Sequence, residues 1–344
     1  MIESTRVFWD EVTDPYRNLA LEEYFLDTVA SGECILYLWQ NTDTVVIGRN
    51  QNCWKECRVD SFERGGGHLV RRLSGGGAVY HDRGNLNFTF LVRNEAYDLS
   101  RQLEVILRAV RSFGINAVKE GRNDLSVDGR KFSGNAFYRR GKAAFHHGTL
   151  LVSADMGKLA SCLSVPSDKL RARGVPSVLS RVANLEEYCP SLTAASLRER
   201  LITAFGEVYG CIPKQISPGS INGAELAIRR EFFASRDWIC NRSDEFQFSD
   251  LTRFSWGGFE IALDTEMGLV KSAVIYSDAL DSTLIYALAS ALAGCPFSTA
   301  ALCGRIRAYF ALHGSDCIGP YLIGSASVKA PDYASDIASW LAVD

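Results

Sequence analysis

The sequence predicts an α+β fold, in which mixed, largely antiparallel sheets carry helices. Three observations carry this reading. Short β runs come first, an amphipathic helix follows, and more hairpins come after it, unlike the strand–helix alternation of a parallel sheet. Asp128-Gly129 sits between Leu125–Val127 and Lys131–Ser133, a type I′ hairpin signal. Hydrophobic residues make up 47% and charged residues 22% of 344, the balance of an ordinary globular chain.

In chain order, Pro15–Ala30 reads as a helix. Proline stands in its first turn, Leu21, Phe25 and Val29 repeat at i, i+4 and i+8, and Gly32 follows as a stop. Ile35–Trp39 and Thr44–Gly48, separated by QNTD, have the pattern of a hairpin. Asn87–Val92 alternates like a strand. Leu99–Phe113 puts Leu103, Ile106, Leu107 and Val110 on one helical face. A second hairpin spans AFYRRGKAAFHHGTLLV. Beyond Asp155 the pattern turns helical, with a loop-rich interruption at RARGVPSVLSRVAN. Residues 213–223 read as a surface loop, and Leu284–Ala293 and Ala301–Leu312 as helices. The polar stretch NRSDEFQFSDLTRF lacks periodicity and reads as a linker around 247–253. It divides a domain at 1–246 from a smaller one at 253–344.

The net charge is -3, which offers no general attraction for nucleic acid or acidic membranes. From Arg253 onward there are five Lys+Arg against nine Asp+Glu, so the smaller domain is mildly acidic. None of the ten cysteines forms a C-x-x-C pair, and the polar N-terminus lacks a secretory core. A reduced, cytoplasmic protein is expected, without a membrane span or a Cys/His metal cluster.

Three stretches can carry chemistry. In Arg71-Arg72-Leu73-Ser74-Gly75-Gly76-Gly77-Ala78-Val79-Tyr80-His81-Asp82, consecutive glycines can form an anion-binding nest beside bidentate arginine donors. It is neither a P-loop nor a dinucleotide fingerprint, and read alone it is equally a solvated loop. In Gly121–Leu125 and Lys131–Ala136, a strand lysine stands beside small residues, and Asn123 and Asp124 offer oxygens suited to Mg²⁺. The alternative is a solvated hairpin lysine. In Phe145-His146-His147-Gly148-Thr149, adjacent histidines on a strand point to opposite faces, so they cannot share a metal; a structural role is the alternative.

Taken together, RRLSGGGAVYHDRGN, GRNDL…KFSGNA and FHHGTLLVSAD resemble the lipoate–protein ligase family in order and spacing. So do RNLALEEYF, TVVIGRNQNCWKEC, GVPSVLSRVANL and FSWGGFEI. The resemblance runs from about residue 5 to at least 270. It implies a catalytic fold similar to biotin protein ligase and class II aminoacyl-tRNA synthetases, plus a small α/β accessory domain. It implies ATP-dependent activation of lipoate to lipoyl-AMP, and transfer to a lysine of lipoyl domains, namely E2 subunits and the glycine cleavage H protein. Lys131 would be the central lysine. Arg72, Gly77, Ala78, Val79, Tyr80, Asn123 and Asp124 would join it in holding the nucleotide, with Asp124 on Mg²⁺. Arg72, Ser74, Gly75, Gly76, His81, Gly134 and His147 would join it on lipoate, with Val46, Val79 and Phe90 as apolar walls. Lys169–Ala183 resembles the family's adenylate-binding loop, where Leu179 replaces a more polar residue. The rival on this fold is an ATP-independent octanoyl or lipoyl transferase, which needs a cysteine nucleophile; Cys162 is the cysteine nearest the hairpins. Biotin ligation is disfavoured by SGGGAVYHD and HHGTLL. A monomer is expected. Arg130, Arg139, Arg140 and Lys142 form a candidate basic rim for acidic acceptor domains.

Overall fold

β1 (Ser4–Trp9) leads into α1 (Pro15–Thr28) through Asp14, whose carboxylate accepts the N–H groups of Tyr16 and Arg17 at 3.0 and 3.3 Å. The computed structural model describes residues 2–120, 124–163, 182–240, 246–313 and 331–342. They fall into two compact units. The first is drawn from Met1–Ile47, Cys53–Arg72 and Ala78–Ile239, and the second from Gly48–Asn52, Leu73–Gly77 and Cys240–Asp344.

In the first unit, β2 (Glu33–Trp39) and β3 (Thr44–Ile47) precede two short helices, α2 (Cys53–Glu56) and α3 (Val59–Arg64). β4 (His68–Arg71), β5 (Val79–His81) and β6 (Asn85–Arg93) follow, then α4 (Leu99–Arg111). β7 (Val118–Glu120), β8 (Asp124–Val127), β9 (Arg130–Arg140) and β10 (Ala143–Leu151) come next, then α5 (Met156–Cys162) and α6 (Ala194–Tyr209). The unit closes with β11 (Lys214–Gln215), α7 (Gly223–Ala234) and α8 (Arg236–Cys240). One eight-stranded sheet has the order β11-β1-β2-β6-β10-β9-β8-β7, and a three-stranded sheet has the order β4-β3-β5. The large sheet is antiparallel except where β1 lies parallel to β2 and β11.

The expected hairpin of β2 and β3 does not form. Both edges of β2 are taken, by β1 and β6, so β3 pairs with β4 and β5 in the other sheet. The intervening loop is pinned by buried Asn41, whose Oδ1 accepts from Asn18 at 3.0 Å. The Asp128-Gly129 turn does form, with φ of 51° and 72°, the left-handed pair a type I′ turn requires. Residues 213–223 are more than loop, since Lys214–Gln215 add a short parallel strand beside β1.

The second unit contains β12 (Phe248–Phe254), β13 (Gly257–Glu266) and β14 (Leu269–Ser277) as an antiparallel sheet. It also contains α9 (Ser282–Leu292), α10 (Thr299–His313) and α11 (Tyr333–Leu341). Its own core holds Phe259, Ile261, Leu288, Ile306 and Ile337. β12 occupies the segment read as linker. Its residues alternate half-buried and exposed, and the outward row supplies the polarity that hid the strand.

In the first unit, α4 and α6 cover one face of the large sheet. There Phe88, Phe90, Phe137 and Phe205 are fully buried, each contributing about 1.5–3 kcal/mol of burial. His146 shares this face, stacked on Phe90 and Phe137, with its ring nitrogens 3.1 Å from Gln102 and 2.8 Å from Asn135. Burial holds its pKa well below the usual histidine value. The unfolded chain protonates this residue below about pH 6.5 while the folded chain does not, so stability is lost as pH falls below that value. Urea unfolding between pH 6.5 and 5 should show it. His146→Phe should flatten the slope by about 1.4 kcal/mol per pH unit, and an unchanged slope would contradict the assignment.

Candidate active site

Strand alternation makes the opposite face of the sheet polar. Across it, Trp39 on β2 lies beside Asn87 on β6, and Asn87 beside Thr149 on β10. Thr149 Oγ1 accepts the Gly134 N–H at 3.3 Å, and Gly134 pairs with Asp124 on β8. The neighbouring row is Tyr37, Thr89, His147 and Ala136. Side chains in directly paired positions share a face, so these residues form one continuous surface.

Glu22 of α1 enters this face with 1% of its surface exposed. Its Oε1 accepts from Thr89 Oγ1 at 2.8 Å and lies 2.7 Å from His147 Nδ1; Thr89 Oγ1 in turn accepts from Trp39 Nε1 at 3.1 Å. Arg72 is buried, donates to the Val46 carbonyl at 3.2 Å, and has its pKa pushed down to about 10 by burial, which Glu22 opposes. His81 is pushed down to about 3 by burial, with Arg72 and His147 adding to the shift. Its Nδ1 meets the Asn41 amide at 3.2 Å, while its buried Nε2 has no hydrogen-bond partner among the described residues. A neutral ring that accepts at Nδ1 donates at Nε2. His147 thus meets a buried carboxylate that also acts on Arg72, and Arg72 and His147 in turn act on His81.

Lys131 stands where the register of β8 and β9 shifts, after Leu125↔Ser133 and before Ser126↔Lys131. Such an irregularity re-aims a side chain. Here the ammonium crosses Gly134 and reaches Asp124 Oδ1 at 2.7 Å. An ideal Cβ on Gly134 would lie 3.0 Å from Lys131 Nζ, so glycine leaves room for the lysine to lie flat. The Lys131 carbonyl accepts from Ala183 N–H at 2.9 Å. Arg130 adds bonds to Val182 O at 2.9 Å and to Glu187 at 2.7 and 3.3 Å.

The face therefore brings together Arg72, His81, Asp124, Lys131, Gly134 and His147. Tyr80 is near them in sequence, but its hydroxyl is committed to Asp43 at 2.7 Å. Val79 pairs with Val46 on β3. Phe90, expected as a wall, lies on the opposite face with His146, because one step along β6 reverses the side chain. Arg71 donates to the Trp238 and Ile239 carbonyls at 2.6–3.1 Å.

Ser74, Gly75, Gly76 and Gly77 belong to the second unit. There a Cβ on Gly75 would fall 2.1 Å from the Ala279 carbonyl oxygen, so backbone packing explains this glycine and ligand approach is not needed. Asn123, Leu179 and residues 169–181 of the expected adenylate loop lie outside the described residues. Sequence reasoning missed Glu22, Asn87 and Thr89. The available signal was an acid inside the apolar run of α1, and alternating Asn85, Asn87 and Thr89 on a strand buried on both faces. Among the described residues no three His, Cys, Asp or Glu form a metal cluster, and Asp124 Oδ1 is taken by Lys131.

Gly134→Ala should displace the Lys131 ammonium by tenths of an ångström. We expect turnover to fall on the order of tenfold, with a melting temperature close to wild type. Wild-type turnover would show that the glycine does not serve the lysine.

The chain is similar to known proteins along most of its length. Residues 14–206 match the lipoyl protein ligase A/B catalytic domain, and residues 243–312 match the bacterial lipoate protein ligase C-terminus. Lipoate-protein ligase A of Psychrobacter cryohalolentis is 40% identical over 300 residues, 84% of this chain and 87% of its own length. P. falciparum LipL1, solved in complex with lipoate, superposes with a TM-score of 0.82 at 28% identity, covering 99% of this chain and 100% of that one. A bipartite lipoate protein ligase from Thermoplasma acidophilum, studied with its E2 lipoyl domain, gives 0.63 at 27% over 72% and 100%. A lipoate-protein ligase A bound with ATP gives 0.59 at 26% over 69% and 98%. A catalytic-domain match over more than half the chain, with 40% identity to a curated member, establishes that this chain belongs to the lipoate–protein ligase family.

Proposed function

We propose that the chain activates lipoate with ATP and transfers the lipoyl group to a lysine of acceptor lipoyl domains. Residues 1–246 would be catalytic and 253–344 accessory. The observation that carries this reading is the Lys131 ammonium, held across Gly134 at the end of a buried polar face. Lipoate bound to LipL1, ATP bound to a ligase A and the E2 lipoyl domain of the archaeal system support the same substrates here.

In the first step a carboxylate oxygen of lipoate attacks the α-phosphorus of ATP, and the bond to pyrophosphate breaks. Two anions must meet, so cations are needed where they converge. Lys131 and Arg72 take that role, and in-line positioning supplies much of the remaining acceleration. Mg²⁺ would arrive with the triphosphate, since it prefers phosphates with few protein carboxylates, and would neutralise phosphate charge; Asp124 is its proposed carboxylate, with Asn123 nearby in sequence. In the second step the acceptor amine attacks the acyl carbon, loses a proton, and AMP departs. Lys131 stabilises the oxyanion as it forms. His81, Gly134 and His147 line the acyl side, and Ala78, Val79 and Tyr80 the nucleotide side. For Ser74, Gly75, Gly76 and Gly77 the proposal rests on the resemblance alone.

The transferase alternative gains no support from Cys162. Burial raises its thiol pKa, and its polar neighbour is the Ser161 hydroxyl at 3.9 Å. A catalytic cysteine needs the opposite shift. E2 subunits and the glycine cleavage H protein are the proposed acceptors, the cytoplasm the proposed location, and a monomer the proposed state. The basic rim needs revision. Arg140 pairs with Glu23 and Asp27, both at 2.6 Å, and Arg130 with Glu187, so the proposal keeps exposed Lys142 as its candidate.

Pyrophosphate release from lipoate and Mg²⁺-ATP without acceptor tests the activating step. Lys131→Ala should lose about 3–4 kcal/mol of transition-state stabilisation, roughly two to three decades in rate. Adenylate formation near the wild-type rate would remove Lys131 from the mechanism. Lys142→Glu should raise the acceptor KM and flatten its salt dependence while leaving adenylate formation intact. Unchanged acceptor kinetics would remove the rim.

A further inference from the structure

β6 carries two asparagines on the polar face, Asn85 and Asn87, at 0% and 1% exposure. The Asn85 Nδ2 amide donates to Asn87 Oδ1 at 2.9 Å. That bond orients Asn87, yet Asn87 Nδ2 and Asn85 Oδ1 have no hydrogen-bond partner among the described residues. Buried amides are nearly always satisfied, by protein, water or ligand. Two orphaned groups on adjacent same-face positions of a rigid central strand therefore need an explanation.

Their position supplies one. Asn87 lies beside Thr149, and Thr149 beside Gly134, over which Lys131 Nζ is held. One strand thus separates the Asn87 amide from the lysine, with an acceptor-hungry N–H on one side and an ammonium on the other. Thr149, between them, is half-buried and leaves the surface open at that point. Two strand spacings amount to about 10 Å. A carboxyl group lying over Thr149 would stand between the two groups, with one oxygen toward each. Trp39, on the far side of Asn87, is apolar in its ring and suits the chain that follows the carboxyl group.

We propose that the Asn87 side-chain amide, oriented by Asn85, donates a hydrogen bond to the acyl carboxyl oxygen of the substrate opposite Lys131. The inference deepens the proposed function and rests on it. Asn87 orients the acid so that its other oxygen points toward the nucleotide, and in the transfer step it shares the developing oxyanion with Lys131. A donor in a buried site is worth more than one in water, and a bond to a charged acceptor is worth about twice a neutral one.

The test measures binding of lipoate and of its neutral primary amide by calorimetry, alongside lipoate-dependent pyrophosphate release, at pH 8. Asn87→Ala should weaken lipoate binding about tenfold and the amide less. Asn87→Asp should weaken lipoate further by placing like charges together, yet spare the amide, whose NH₂ can donate to the new carboxylate. The acid-to-amide preference should then shift at least tenfold. Thermal melts of both variants, with Asn87→Ser as a milder change, report folding separately. If wild type activates lipoate while folded variants lose acid and amide binding equally, or lose neither, the asparagine is structural and the inference is overturned. If wild type neither binds lipoate nor releases pyrophosphate, the proposed function falls, and the inference with it.

Discussion

A carboxylate buried in a helix otherwise packed against a sheet is an obligation that the surrounding structure must meet. Glu22 is that group, and its partners come from four separate stretches of the first unit. Thr89 and His147 contact its Oε1, Trp39 supports Thr89, and Arg72 opposes its charge from β4's end. An unmatched ion at this depth would be strongly destabilising, whereas a matched one ties α1, β2, β6 and β10 together in one geometry. The same arrangement leaves Arg72, His81 and His147 facing a common space. Their placement is thus a consequence of satisfying one acid.

The two faces of the large sheet divide the labour. His146 and His147 are adjacent in sequence, but one packs between phenylalanines while the other meets Glu22. The apolar face, under α4 and α6, secures the strands, so the polar face can carry groups that would destabilise a freestanding sheet. The register shift ahead of Lys131 is a local exception with a purpose, bringing the ammonium onto the polar face beside Asp124. Under the proposed function, a cation at the edge of this floor would stand where a carboxylate and a triphosphate must meet.

Much of this was legible in advance. The Asp128-Gly129 turn, the strand expected at Asn87–Val92 and the helix expected at Leu99–Phe113 follow from local turn chemistry and periodicity, and they form, the last two over Asn85–Arg93 and Leu99–Arg111. Pairing was not legible where it depended on competition. Thr44–Ile47 has the composition of a hairpin partner for β2, but β1 and β6 had already occupied both edges. Phe248–Phe254 looked like a linker because an exposed strand row is as polar as a loop. Phe90 is an expected apolar wall by sequence, and only the alternation of β6 shows that it faces the core.

By itself the sequence determined the family, the α+β class and the lysine hairpin, because motif order, helix period and turn residues are properties of contiguous chain. Tertiary structure decided which polar residues share a face. Glu22 and His147 are 125 residues apart and meet at 2.7 Å, and no local pattern records that meeting. It also separated two uses of the same residue type: Arg71 serves backbone carbonyls while Arg72 stands near Glu22, and Gly75 admits a carbonyl while Gly134 admits a lysine. The physical reason is that burial and pairing energies belong to the space around a residue, and that space is filled by segments distant along the chain.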